Sequence, residues 1–198
     1  MFMKRRIFVR FAVAGTAWFA LSGHTPYRHW TIYRQKHLLI GACKTDPPSY
    51  PLAERIAGTL VRHLPESSAR ASRAPDQRRV ASLLASDQWQ VSVMRRQDAA
   101  DLAAGRGLFE TTGAVPLNSL FAMGGHLLVC RPDFPDRHGW LVTATLTKNA
   151  ADIPDGTAPE HGVIPAHPGA LAYAAGKPLP PGPAAGETGP EADHGHPH

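Results

Sequence analysis

The chain has 198 residues and a formal net charge of +5, of which Lys4, Arg5, Arg6 and Arg10 supply four, so everything after the first ten residues is close to neutral. The high isoelectric point therefore gives no basis for a nucleic-acid partner, and the remaining basic residues come in pairs such as Arg78-Arg79 and Arg95-Arg96 without the interleaved aromatics of a base-stacking surface. With only two cysteines, far apart and outside any close Cys/His cluster, a structural zinc site is not indicated.

Residues 1–23 carry a basic start, an apolar run from Phe11 to Leu21, and the small residues Ser22 and Gly23, which is the build of an export signal. Arg5-Arg6 before Phe8 and Val9 matches the twin-arginine type. The run falls short of the roughly 20 apolar residues that span a bilayer. Ala20 and Ser22 suit a signal peptidase, but Leu21-Ser22-Gly23 is a poor site, so cleavage and an uncleaved anchor both stay open. Either way the folded part is placed in the periplasm, or anchored at the inner membrane facing it.

After a linker over 24–36, the segment 37–175 has the length of one α/β domain. His37 to Cys43 is a short apolar run bounded by turn-formers and predicts a buried strand. Beyond the loop Lys44-Thr45-Asp46-Pro47-Pro48, apolar residues Leu52, Ile56, Leu60, Val61 and Leu64 predict a helix with Ser49 as its N-cap. The unit repeats twice. Ala69 to Ser72 predicts a strand, Asp76 a cap, and Val80, Leu83 and Leu84 a second helix; Trp89, Val91 and Val93 predict a third strand, and Gln97-Asp98 opens a helix that stops near Gly105. This alternation predicts a mostly parallel sheet flanked by helices.

Val115 to Leu120 and His126 to Cys130 predict two further strands around a turn at Gly124-Gly125. Asp136 is placed as the cap of a helix with an apolar stripe of Trp140, Leu141 and Ala144, and His167-Pro168-Gly169 opens a last short helix, with His167 satisfying its end. Over 176–198 the composition turns to Pro, Gly, Ala, Glu and His, which predicts a disordered tail.

The order of several segments resembles the TAXI-type solute receptors of tripartite (TRAP) transporters. They are Ser49-Tyr50-Pro51-Leu52-Ala53, Leu83-Leu84-Ala85-Ser86, Gln97-Asp98-Ala99, His126 through Pro135, and Ile164-Pro165-Ala166-His167-Pro168-Gly169-Ala170. The resemblance implies a periplasmic-binding-protein-like fold, a small organic anion or amino-acid-like solute as ligand, and a membrane permease as partner. Family members close two lobes on the ligand. Here the segments that cross between lobes are joined directly, so a single lobe is expected, with Leu120, Phe121 and Met123 exposed at the former hinge and available for self-association.

Ligands of open parallel sheets sit beyond the carboxyl ends of the strands. That rule nominates Thr45, Ser49 and Tyr50 after the first strand, Asp76 and Gln77 after the second, and Arg95, Arg96, Gln97 and Asp98 after the third, with Arg96 suited to fork a carboxylate. No nucleophile elbow, phosphate loop or close acid pair points to catalysis. Asp193, His194, His196 and His198 in the tail could wrap a divalent metal, which makes periplasmic metal handling the alternative function. Cys43 and Cys130 are either a disulfide or two buried thiols.

Overall fold

The computed structural model describes residues 37–159 and 162–181. The segment 1–23 read as an export signal, the linker over 24–36 and the tail residues nominated as metal ligands lie outside them. Among the described residues no helix is long and apolar enough to cross a membrane.

The chain runs β1 (Leu39–Cys43), α1 (Ser49–His63), β2 (Arg70–Ala74), α2 (Gln77–Ala85), β3 (Val91–Arg95), α3 (Arg96–Ala104), β4 (Asn118–Met123), β5 (His126–Cys130), α4 (Asp136–Lys148), β6 (Gly156–Thr157) and α5 (Pro168–Ala174). The strands form a six-stranded sheet in the order β2-β1-β3-β5-β4-β6. β1 pairs in parallel with β2 and β3, whereas β5 is antiparallel to β3, β4 to β5 and β6 to β4. The sheet is therefore mixed rather than mostly parallel. β3 and β4 run in the same direction with α3 between them in the chain, but β5 lies between them in the sheet; it follows β4 through the two residues Gly124-Gly125, and a connection that short permits only antiparallel pairing. Gly124 takes φ 52°, a conformation that costs glycine nothing.

Each face of the sheet has its own core. α1 and α4 cover Ile40, Val91, Val93, Leu128 and Cys130, while the other face gathers Cys43, Met94 and Val129 under α2 and α3 residues such as Val80, Leu84 and Leu102. Cys43 and Cys130 belong to opposite faces and are free, so they are buried thiols. Burial pushes the Cys130 thiol far above its ordinary pKa.

The expected exposed patch at the β4–β5 junction is overturned. Leu120 and Phe121 are 0% exposed and Met123 3%. β4 does not end at Leu120 but runs on through Met123, so these side chains sit inside the sheet, α4 packs on them, and β6 covers the β4 edge. Thr143 of α4 fastens this cover by donating its hydroxyl to Leu120 O at 2.9 Å. Self-association through these residues has no exposed surface to use.

In α4 the buried stripe is Gly139, Val142, Thr143, Ala144 and Leu146, rotated from the expected one. Trp140 instead packs edge-on against Tyr173 of α5, 5.3 Å between centroids, and donates from Nε1 to Lys177 O. Pro135, not Asp136, holds the cap position, and Asp136 is the first helical residue. Arg137 donates to Pro180 O, so the packed body continues past Gly176, where composition placed the start of the tail.

His167 fixes the α4–α5 crossing. Its Nδ1 accepts from Gly169 N at 3.1 Å and its Nε2 lies 2.8 Å from Phe134 O, to which only a protonated nitrogen can donate. The two bonds together select the neutral Nε2–H tautomer. Burial lowers the His167 pKa below its ordinary 6.5, the bond to Phe134 pulling the other way. A β-carbon at Gly139 would overlap His167 Nδ1, and one at Gly169 would overlap Asp136 O, so both glycines are required by proximity.

Gly139→Ala is expected to destabilise the fold by about 1–3 kcal/mol through overpacking. Gly58→Ala, at an exposed helix position with nothing within 4 Å of the new carbon, is expected to stabilise it by about 0.5–1 kcal/mol; paired urea melts measure both. Because the unfolded His167 binds a proton more readily than the folded one, its contribution is complete above about pH 6.5 and lost as pH falls below it. His167→Asn should lower stability at pH 7 and flatten that acid-side slope.

Candidate functional site

Side-chain alternation places the site. Val91 and Val93 of β3, and Cys130 and Leu128 of β5, all face the α1 side, so the next residues in phase, Arg95 and His126, emerge on that side at the end of the sheet. They are also directly opposed in the β3–β5 pairing. The loop after β1 brings Asp46 to meet them: Asp46 Oδ1 accepts from Arg95 Nε and Nη2, each at 2.9 Å, and Oδ2 lies 2.9 Å from His126 Nε2. The Asp46 side chain is 2% exposed, whereas Arg95 is 51% exposed and His126 13%. The Asp46 hydrogen bond and charge hold the Arg95 guanidinium more firmly protonated than usual. Among the described residues no protein group bonds Arg95 Nη1.

Ser49 builds the loop rather than capping α1, whose cap position is held by Pro48 without a side-chain bond. Its Oγ accepts from Cys43 N at 3.0 Å and shares its proton between Cys43 O at 2.9 Å and Asp46 O at 2.8 Å. A fully buried hydroxyl here is spent on holding Asp46 in place. Thr45 is exposed, its Oγ1 3.0 Å from Cys43 Sγ.

The other nominated residues divide between jobs. Asp76 caps α2 as expected, accepting from Arg79 N at 2.8 Å. Gln77 donates to Asp98 Oδ2 at 3.1 Å, linking the N-termini of α2 and α3. Burial raises the Asp98 carboxyl above its ordinary range, with Arg95 drawing it back. Arg96 is exposed and anchored at one nitrogen: its Nε donates to Gly124 O at 2.8 Å and its amide to Gly125 O, so it clamps the hairpin turn. Gln97 bonds Asp101 within α3. Tyr50 turns toward β2, where the Arg73 guanidinium lies 3.7 Å from its ring centroid.

Of the nine nominated ligand residues, then, Thr45, Gln77, Arg95, Arg96 and Asp98 bring polar groups to the strand ends, whereas Ser49, Tyr50, Asp76 and Gln97 have partners in the loop after β1, on β2 or within α2 and α3. Asp46 and His126 were not nominated. Asp46 stood in a loop full of turn-formers and His126 was one of several scattered histidines; only the β3–β5 register joins the latter to Arg95. Asp193, His194, His196 and His198 lie outside the described residues, and among the described ones no group of three His, Cys, Asp or Glu side chains could hold a metal.

No protein-family model matches the chain, and no curated protein matches its sequence significantly.

Removing the buried carboxylate tests the cluster. Asp46→Ala strands Arg95 and His126 and opens the loop, and is expected to cost about 2–4 kcal/mol in a urea melt. Asp46→Asn should cost clearly less, because the amide still accepts from Arg95, and the half-exposed guanidinium can recover water.

Proposed function

We propose that this chain is an exported, non-enzymatic binding module of the TAXI receptor type, reduced to one lobe, which takes a small organic anion at the sheet end around Arg95. The observation that carries the reading is the buried Asp46, which presents a half-exposed guanidinium beside His126 where open sheets receive ligands. A carboxylate on Nη1 would add charge-assisted bonds to a group already fixed in direction, so little ordering entropy is lost. The β4–β5 hairpin supports the single-lobe part, since it directly joins the segments that cross between lobes in the family it resembles.

A site without a second lobe leaves its ligand partly in water, and Asp46 already balances the single positive charge of Arg95. Affinity is therefore modest, with dissociation constants of about 0.1–1 mM. Such a module serves a membrane permease as an accessory that raises local solute concentration, in the periplasm or tethered to the inner membrane.

Titration calorimetry with succinate, malate, glutamate and aspartate is the direct test. At least one is expected to bind with a one-site isotherm, and Arg95→Gln should abolish it, whereas Arg78→Gln, on the exposed face of α2, should not. Absence of heat from every compound on the folded protein rules the reading out.

A further inference from the structure

Beside the sheet end lies a second feature that the anion site does not use. β2 is an edge strand of the sheet among the described residues. Arg70 N donates to Leu38 O, and Ala74 O accepts from Lys44 N, so Arg70, Ser72 and Ala74 turn their peptide groups toward β1. In a parallel ladder the intervening residues turn theirs the other way, and Ala71 and Arg73 therefore present N–H and C=O to the open edge.

Next to that edge runs an open groove of about 680 Å³ between α1 and β2. Small or apolar residues form much of its lining, Ala57, Gly58 and Val61 on α1 and Ala69 and Ala71 on the strand side, and Tyr50, Glu54, Arg62 and Arg70 complete it, so that two arginines outnumber one carboxylate. Gly58 leaves its part empty, with no atom within 4 Å of where a β-carbon would be, and Val61 is 47% exposed although it stands on the helix beside the core. Arginines commonly guard an edge against pairing. Here Arg73 lies back over the Tyr50 ring instead of across the edge, leaving the peptide groups accessible and the charge beside them.

We propose that the β2 edge and the α1 groove together form a docking site for an extended acidic peptide segment of another protein. The segment adds as a strand to Ala71 and Arg73, sets an apolar side chain of moderate size over Gly58, and meets Arg70 and Arg73 with carboxylates. Charge decides the occupant. A second copy pairing edge to edge would bring two Arg70 and two Arg73 residues together, which like-charge repulsion disfavours.

The test uses the whole chain and two fluorescein-labelled octapeptides, one alternating glutamate and valine, the other lysine and valine, followed by fluorescence anisotropy. The glutamate peptide is expected to bind and to slow hydrogen exchange at the Ala71 and Arg73 amides; the lysine peptide is expected not to bind. Gly58→Leu fills the groove at an uncrowded, exposed helix position and should weaken binding at least about tenfold without loss of fold. Ala71→Pro removes an outward donor while sparing the β1 ladder and should weaken it similarly. No binding up to about 1 mM, equal binding of both peptides, or binding indifferent to both substitutions overturns the proposal. So does protection of the β2 amides that follows protein concentration without peptide, since the edge then pairs with a second copy.

Discussion

A carboxylate cannot be withdrawn from water without a cost of several kcal/mol unless its oxygens are repaid in hydrogen bonds and opposite charge. Asp46 is withdrawn almost completely, and its repayment ties together three parts of the chain: the loop after β1, the end of β3 and the start of β5. The Ser49 hydroxyl belongs to the same assembly, since it holds the turn that delivers Asp46. Because Arg95 and His126 are cross-strand neighbours, a slip of one residue in the β3–β5 register would send His126 to the other face and leave one carboxylate oxygen unpaired. The polar cluster and the register of the antiparallel half thus depend on each other.

That antiparallel half also governs what the molecule presents to its surroundings. The two-residue link between β4 and β5 returns the chain immediately, and α4 and β6 then close over β4, with His167, Gly139 and Gly169 allowing α4 and α5 to approach closely. The side that would have been raw at a lobe junction is sealed with apolar packing. Among the described residues, what stays open is the opposite edge, at β2, and the strand ends around Arg95. The two places offer different chemistry, a fixed cation at one and unpaired peptide groups beside arginines at the other.

The three β–α units were legible because they rest on local signals: apolar runs bounded by turn-formers, helical spacing of Ile56 and Leu60 or Val80 and Leu84, and the glycine that ends α3 at Gly105. The Asp76 cap and the His167 helix end were legible for the same reason, each being a side chain bonding a few residues along its own segment. Where a local signal competed with a distant partner, the partner prevailed. Ser49 had the position of a cap and was taken by Cys43 and Asp46; Arg96, exposed on α3, is anchored through Nε to the hairpin carbonyl of Gly124.

Amino-acid order alone determined that there would be an α/β domain, where most of its strands and helices fall, and which end of the sheet would carry polar groups, because periodicity and turn chemistry act over a few residues. Only the tertiary structure decided that the sheet is mixed, that Leu120, Phe121 and Met123 lie inside it, and that Asp46, Arg95 and His126 form one cluster. Those outcomes depend on which strand pairs with which and in what register. Asp46 and His126 are far apart along the chain, and their meeting is fixed by cross-strand hydrogen bonding that leaves no periodic trace in either segment.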